Sequence, residues 1–130
     1  MLTIMRIKGT VSTGKHGGTK YTTLDWVKKQ IEQKLGFKPY PGTLNLKLEP
    51  AETQKLRQFT QKAQPIIIQP EKSFYPGKCY KVTVDNIKCS ICFPEVPDYP
   101  ADLLEIIAPQ NLREKLKLKD GDIVEVNVQA

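Results

Sequence analysis

The sequence predicts a mainly β domain, arranged as a small barrel with helical insertions. Short segments in which apolar and polar residues alternate recur along the chain, and turns rich in glycine and proline separate them. Only one segment has a firm helical period, so a doubly wound parallel sheet with its alternating long helices is disfavoured. At 130 residues the chain suits a single domain with one core, covering residues 1–130.

The composition is that of a folded, soluble protein. Hydrophobic residues make up 39% and charged residues 26%, which argues against a disordered chain. No apolar run reaches the roughly 18 residues of a membrane span, and the N-terminal residues lack the pattern of a signal peptide. We therefore expect a cytoplasmic monomer without a membrane partner. The net charge of +6 favours an anionic partner, which could be nucleotide phosphates, a nucleic acid or a charged surface.

The first third of the chain predicts a strand, a loop and a helix. Met1 to Val11 alternates apolar and polar residues, as a strand does, and the glycine-rich run Ser12 to Lys20 follows it. The next segment predicts an amphipathic helix that Thr22 or Thr23 would cap and that Gly36 would end. Its apolar stripe recurs at three- and four-residue steps and consists of Leu24, Val27, Ile31 and Leu35.

A rigid Pro-Gly turn precedes the second predicted strand. Three leucines of this strand would face the core and three polar residues would face the other way. In chain order the six residues are Thr43, Leu44, Asn45, Leu46, Lys47 and Leu48. The polar segment Pro50 to Gln64 has Leu56 and Phe59 as its only large apolar residues, and we interpret it as a short helix or an irregular excursion.

The rest of the chain predicts further strands. A two-residue turn at Asp85-Asn86 between two alternating runs indicates a hairpin. Pro109 suits the first turn of a short helix. The expected strands are Ile66 to Ile68, Cys79 to Val84, Ile87 to Phe93, Leu103 to Ile107 and Ile123 to Val128.

The glycine-rich run has the composition of an anion-binding loop. Its glycines would let backbone N–H groups approach an anion closely, and Lys15 and Lys20 add positive charge. The run matches neither the Walker A motif nor the dinucleotide-binding fingerprint. The alternative is a hairpin loop without a ligand, and these residues alone favour it.

Thr43 and Asn45 place two oxygen donors about 7 Å apart along one face of the second strand. Mg²⁺ accepts such oxygens, and neutral ligands would leave the charge of the ion available to phosphates. Alternatively, both side chains face solvent or bond to neighbouring backbone, which is the interpretation that spacing alone favours.

Four further residues have more than one interpretation. Cys79, Cys89 and Cys92 are odd in number, so we expect reduced thiols buried in strands rather than a disulfide framework. Half a zinc site or a redox-active C-x-x-C motif are the alternatives. Glu105 lies in the apolar run LLEIIA, either on the solvent face of a strand or as a partly buried acceptor for a ligand hydroxyl.

Two long segments support a comparison with a known family. They are GFKPYPGTLNLKL at Gly36 to Leu48 and LEIIAPQNLREKLKLKDGDIV at Leu104 to Val124. Together with the order of elements, these motifs resemble the archaeal CTP-dependent riboflavin kinases. The resemblance implies a six-stranded cradle-loop barrel with one firm helix and one or two short ones. It also implies transfer of the γ-phosphate of CTP to the 5′-hydroxyl of riboflavin, giving FMN and CDP, with Mg²⁺.

The resemblance assigns roles to residues of both segments and of the glycine-rich run. The threonine and asparagine of the PGTLN motif bind Mg²⁺ in that family, which carries over to Thr43 and Asn45. Flavin contacts carry over to Glu105, which is also the candidate general base, and to Pro97, where the family has a threonine. The expected nucleotide-binding residues are Gly14, Lys15, His16, Gly17, Gly18 and Thr19, with Asn111, Leu112, Arg113 and Glu114.

A small basic nucleic-acid-binding barrel, such as a transcriptional regulator, is the rival interpretation. It rests on the net charge of +6 and on the lysines of the predicted helix. Aromatic residues, on which single-stranded bases stack, make up only 8% and do not cluster in one strand. Riboflavin and CTP are therefore the favoured partners, and CTP rather than another nucleotide rests on the resemblance.

Overall fold

The strands of the described chain belong to one antiparallel sheet. The computed structural model describes residues 4–13, 22–71 and 75–129. The strands are β1 (Ile4–Ser12), β2 (Leu44–Lys47), β3 (Ile66–Ile68), β4 (Gly77–Val84), β5 (Ile87–Pro94), β6 (Leu103–Ile107) and β7 (Ile123–Gln129). The helices are α1 (Asp25–Leu35), α2 (Pro50–Lys62) and α3 (Leu112–Lys115).

The sheet closes on itself into a six-stranded barrel. Its strand order is β4–β5–β6–β2–β1–β7, and β7 returns to pair with β4, where Val82 lies opposite Val128. The short β3 pairs with the first half of β4, with Ile66 opposite Cys79. Strand β4 therefore has β3 beside its first half and β7 beside its second half. The predicted fold class, a mainly β six-stranded barrel with few helices, is confirmed.

Alternation along the strands fills the barrel interior with aliphatic side chains, as β2 illustrates. Leu44, Leu46 and Leu48 are 5%, 0% and 4% exposed, which confirms the predicted core face. Strand β1 approaches β2 closely because Gly9 has no side chain. A Cβ atom on Gly9 would lie 2.7 Å from the Cβ of Leu46. A larger residue there would displace the strand that carries Asn45.

Helix α1 packs on the outside of the barrel through its predicted stripe. Val27, Ile31 and Leu35 are buried in a second core cluster. The strand residues of this cluster are Ile68, Cys79, Cys92 and Ile107. Gly36, with a φ of 84°, has the left-handed conformation that ends the helix, as predicted.

The predicted threonine cap of α1 is wrong. Leu24 occupies the N-cap position, and its side chain makes no capping hydrogen bond. Thr22 is 1% exposed, and its hydroxyl accepts a hydrogen bond from the backbone N–H of Gly42 at 2.7 Å. This threonine therefore connects two segments of the fold instead of starting the helix.

Helix α2 is longer and more regular than the sequence suggests. It has 13 residues and begins at Pro50. Proline suits this position because the backbone N–H groups of the first helical turn make no hydrogen bond within the helix. Leu56 and Phe59 are buried in the barrel core, one helical turn apart, and hold the otherwise polar helix against it. None of the helices in the described ranges combines the length and the hydrophobicity that a membrane crossing requires.

The predicted hairpin at Asp85-Asn86 is present. Both residues have positive φ angles, 48° and 65°, as a type I′ turn requires. This turn sets the register of β4 and β5, in which Cys79 lies opposite Cys92 with their Cα atoms 4.3 Å apart. The two cysteines form a disulfide. The expectation of three reduced thiols is therefore wrong for this pair, because the hairpin register places them side by side.

Cys89 is a free, buried thiol, as expected. Burial raises its pKa to about 11, so the thiol is neutral at ordinary pH. Within the described ranges, no cluster of three or more histidine, cysteine or acidic side chains is suited to hold a metal ion. That part of the chain gives no support to a zinc site built on the C-x-x-C motif.

Candidate active site

The Pro41-Gly42 turn is held in place by backbone hydrogen bonds to two other parts of the fold. The N–H of Gly42 donates to the hydroxyl of Thr22 at 2.7 Å, and the N–H of Tyr40 donates to the carbonyl of Ala108 at 2.8 Å. Gly42 has a φ of 118°, a conformation largely restricted to glycine. The start of β2 is thus attached both to the segment before α1 and to the end of β6.

Thr43 and Asn45 lie together on the polar side of this segment and are both half-buried. Oγ1 of Thr43 donates to Oδ1 of Asn45 at 3.2 Å, so the two oxygens are much closer than the separation of about 7 Å that the strand rise predicted. Two adjacent ligands of an octahedral Mg²⁺, each roughly 2.1 Å from the ion, lie about 3 Å apart, so this pair fits two neighbouring coordination positions. Mg²⁺ commonly takes few protein ligands and completes its shell with water and phosphate oxygens. The donor pair therefore suits an ion that binds together with a nucleotide.

Glu105 lies directly opposite Asn45 in the pairing of β2 with β6. It is 7% exposed, so the interpretation in which it faces solvent is wrong. The hydroxyl of Tyr99 donates to Oε2 of Glu105 at 2.9 Å. Burial, reinforced by the charge of Glu105, raises the pKa of Tyr99, so its hydroxyl remains a donor at ordinary pH.

Thr43 lines two cavities and Glu105 lines one of them, whereas Asn45 is not among the described lining residues of either. The polar cavity has a volume of about 290 Å³, and its lining includes Tyr40, Gly42, Gln110, Asn111 and Arg113. The apolar cavity has a volume of about 250 Å³, and its lining includes Cys92, Val96, Tyr99, Glu105 and Ile107. Thr43 is therefore the side chain at the boundary between a polar and an apolar space.

The residues predicted to bind a nucleotide on the C-terminal side form the start of α3, beside the polar cavity. The side chain of Asn111 accepts a hydrogen bond from the backbone N–H of Glu114 at 3.2 Å and so caps the helix. Leu112 belongs to the barrel core and is 3% exposed. Asn111, Leu112 and Arg113 line the polar cavity, whereas Glu114 is exposed and does not.

A polar network connects α3 with the end of β1. Arg113 forms an ion pair with Asp120 at 2.9 Å, and the hydroxyl of Thr13 donates to the same carboxylate at 2.9 Å. The hydrogen bond from Thr13 and then the guanidinium of Arg113 lower the pKa of Asp120. Thr13 is the second residue of the glycine-rich run Ser12 to Lys20, and the network joins it through Asp120 to Arg113, which lines the polar cavity. The predicted loop residues themselves lie outside the described ranges: Gly14, Lys15, His16, Gly17, Gly18 and Thr19.

Pro97, which the resemblance aligns with a flavin-contacting threonine, is exposed. Val96 and Asp98 on either side of it line the apolar cavity, but Pro97 is not among the described lining residues. The hydroxyl on this segment that reaches the cavity belongs to Tyr99.

Comparison with known proteins agrees with the two motifs. A family model whose short name denotes a CTP-dependent riboflavin kinase, and whose description is "Domain of unknown function DUF120", matches residues 11–128. The chain belongs to this family. The resemblance inferred from the PGTLN and LEIIAP motifs is thereby confirmed, and these riboflavin-kinase-family motifs frame the two cavities.

Curated relatives of this family match along nearly the whole chain. A protein named riboflavin kinase from Archaeoglobus fulgidus is 41% identical over 128 residues, which cover 95% of this chain and 54% of the relative. Riboflavin kinases from Methanosarcina barkeri and Pyrobaculum aerophilum are 41% and 38% identical, and the match covers 58% and 60% of their lengths. The chain thus spans somewhat more than half the length of the curated relatives it matches.

Sequence reasoning missed three residues that shape the site. Thr22 was expected to cap α1, although it bonds to Gly42; nothing in the local sequence signals that partner. Tyr99 lies in a proline-rich loop, where its contact with Glu105 has no periodic signal. No role in the site was predicted for Asp120, although it follows Arg113 by only seven residues and carries the opposite charge, which was an available signal.

Proposed function

We propose that this chain is a riboflavin kinase that transfers the γ-phosphate of CTP to the 5′-hydroxyl of riboflavin, giving FMN and CDP, with Mg²⁺ as cofactor. Family membership and the names of the relatives support the reaction. The observation that carries the proposal is the position of Thr43, which lines both the polar and the apolar cavity. A group transferred between a nucleotide and an acceptor must pass such a boundary.

The chemical character of each cavity suits one substrate. Arg113, Asn111 and Gln110 offer the polar cavity a positive charge and amide groups, which suit phosphates and the edge of a base. Val96, Pro94 and Ile107 offer the apolar cavity hydrophobic walls, which suit a flavin ring. Glu105 adds one buried carboxylate that could accept a hydrogen bond from a polar group of that substrate.

The protein would contribute mainly position and charge neutralisation, as is usual in phosphoryl transfer. Thr43 and Asn45 would hold Mg²⁺, which, when bound, neutralises charge on the phosphates. The oxygen of the riboflavin 5′-hydroxyl forms a bond to the γ-phosphorus, and the bond from that phosphorus to the β–γ bridging oxygen breaks. CDP leaves, and the hydroxyl proton passes to a base, for which Glu105 is our candidate.

The direct test is product formation with each nucleotide. The protein is incubated with riboflavin, Mg²⁺ and, separately, CTP, ATP, GTP and UTP, and FMN is measured by chromatography. We expect FMN with CTP and little with the other three. FMN with another donor instead would overturn the assignment of CTP but not that of a kinase. No FMN with any donor would overturn the proposed function and favour the nucleic-acid-binding interpretation, which predicts binding that weakens steeply with salt.

A further inference from the structure

One wall of the apolar cavity is the segment between β5 and β6. Val96, Asp98, Tyr99 and Pro100 of this segment line the cavity, and β6 supplies Glu105 on the facing side. The hydrogen bond from Tyr99 to Oε2 of Glu105, at 2.9 Å, joins the wall to the strand. The segment therefore contributes part of the cavity surface and, through Tyr99, a hydrogen-bond donor to the carboxylate of Glu105.

The surroundings of Glu105 make its orientation important. It lies in the middle of a strand whose residues are all buried, and its own exposure is 7%. A carboxylate in apolar surroundings requires hydrogen-bond partners, and each such bond restricts the directions in which its oxygens point. A donor from a tyrosine costs little conformational entropy, because only two side-chain torsions must be fixed.

The ends of the wall are held by bonds that do not involve Tyr99. At the first end, the N–H of Glu95 donates to the carbonyl of Pro76 at 2.9 Å, and Glu95 also forms an ion pair with Lys78 at 2.9 Å. At the other end, the N–H of Leu48 donates to the carbonyl of Asp102 at 2.7 Å. Removing only the hydroxyl of Tyr99 should therefore leave the wall in place and change the restraint on Glu105.

We propose that Tyr99 is a positioning residue of the apolar cavity: its hydroxyl holds the Glu105 carboxylate in the orientation in which that carboxylate accepts a hydrogen bond from the flavin substrate. This inference rests on the proposed function, because it takes riboflavin as the ligand of the apolar cavity. Tyr99 would act through Glu105 and not by its own contact with the reacting atoms.

A double-mutant cycle tests the coupling between the two side chains. Tyr99→Phe, Glu105→Ala and the double variant are titrated with riboflavin, without nucleotide, and the dissociation constant is measured from quenching of flavin fluorescence. We expect Tyr99→Phe to weaken binding about tenfold, the effect of a hydrogen bond to a charged group. In the Glu105→Ala background, the same change should alter binding less than about twofold, because the group that Tyr99 positions is absent.

Steady-state kinetics give a second readout. Tyr99→Phe should raise the KM for riboflavin and leave the KM for the nucleotide unchanged, since the polar cavity does not include Tyr99. Tyr75→Phe is the matched control, because Tyr75 is 50% exposed and lines neither cavity. Thermal unfolding of each variant identifies losses that come from a damaged fold, and Glu105→Leu, which also removes the acceptor, replaces Glu105→Ala if the latter unfolds early.

The outcomes separate this inference from the function on which it rests. Equal effects of Tyr99→Phe in the wild-type and Glu105-variant backgrounds would overturn the positioning role. So would riboflavin binding by Tyr99→Phe within about twofold of wild type. If the wild-type protein binds no riboflavin, the assignment of the apolar cavity is overturned together with the proposed function.

Discussion

The two cavities differ in how their walls are built. The polar cavity is bounded by turns and a helix start that backbone hydrogen bonds attach to the barrel, as Tyr40 is to Ala108. One wall of the apolar cavity is a proline-rich segment, which the bond from Tyr99 to Glu105 joins to β6 in the middle of that wall. The polar cavity offers charge and amides, and the apolar cavity offers apolar surface with one buried carboxylate.

This difference indicates that the residues that would recognise the two substrates lie apart from the residue at which the transfer would take place. The charged and amide side chains of the polar cavity lie at Gln110 to Arg113, whereas the apolar cavity takes Tyr99 from the segment before β6 and Glu105 from β6 itself. Thr43 alone, among the residues discussed for both cavities, lines the two spaces, and Asn45 and Glu105 lie side by side on the adjoining strands. A variant on either outer wall should therefore affect one substrate, whereas a variant at Thr43 should affect the transfer between them.

The largest effect is expected for Thr43→Ala. Loss of one of the two proposed protein ligands to Mg²⁺ should lower kcat by at least about a hundredfold, as removal of a charge-stabilising group does in other enzymes. The side chain is half-buried and lies off the leucine face, so the free energy of unfolding should fall by less than about 1.5 kcal/mol. FMN formation and thermal unfolding measure the two quantities.

Thr83→Ala is the matched control for this variant. Thr83 is also a half-buried strand threonine, on β4, and lines neither of the two cavities. We expect its kcat to stay within about twofold of wild type. Normal turnover by Thr43→Ala would overturn the assignment of Thr43 as a metal ligand. An equal loss of kcat in both threonine variants would indicate a defect in the fold.

A smaller effect, confined to the polar cavity, is expected for Arg113→Gln. Loss of the guanidinium should raise the KM for the nucleotide about tenfold, while the dissociation constant for riboflavin stays unchanged. Lys115→Gln removes a neighbouring positive charge on the same helix but outside the cavity lining, and should have little effect. If Arg113→Gln weakens riboflavin binding to the same extent, the two cavities are not independent.

The smallest effect concerns Asp120, whose pKa is lowered by the hydrogen bond from Thr13 and then by Arg113. Because the pKa of this carboxylate is lower in the folded protein than in the unfolded chain, where it is near 4, the ionised carboxylate stabilises the fold at pH values above about 4. This stabilisation is lost as the pH falls through the pKa of the folded protein. Asp120→Asn should thus be slightly less stable than wild type at pH 7, and the difference should shrink below about pH 4. Thermal unfolding from pH 3 to pH 7 measures it; a difference that grows at low pH would contradict the account.

Local patterns were sufficient to predict much of the barrel. Strict alternation in β2 gave its core face and the shared side of Thr43 and Asn45, and the two-residue turn gave the β4–β5 hairpin. The same turn also implied that Cys79 would lie opposite Cys92, because the two are equidistant from it. The disulfide was missed because the cysteines were counted for the whole chain and not placed in the hairpin register.

Contacts between distant segments could not be predicted in this way. That Asn45 lies opposite Glu105 depends on the pairing of β2 with β6, and no local pattern specifies that neighbour. Helix α2 was underestimated because its surface is mostly polar, whereas the packing of Leu56 and Phe59 and the bond from the backbone of Lys8 to Glu52 attach it to the barrel. The bond from Tyr99 to Glu105 depends on the path of an irregular loop, which has no period to follow.

Our central proposal is that Thr43 and Asn45 hold the Mg²⁺ ion where phosphate is transferred, which requires both substrates to lie close to that ion. Mn²⁺ in place of Mg²⁺ tests it directly, because its paramagnetism broadens the magnetic resonance signals of nearby nuclei. With riboflavin and a non-hydrolysable CTP analogue bound, we predict that Mn²⁺ broadens both the γ-phosphorus signal and the ribityl proton signals. In Thr43→Ala, the ribityl broadening should weaken at the same Mn²⁺ concentration, while the γ-phosphorus signal still broadens because Mn²⁺ also binds the phosphates directly. Broadening of the nucleotide alone in wild type, or equal broadening of both substrates in Thr43→Ala, would contradict the proposal.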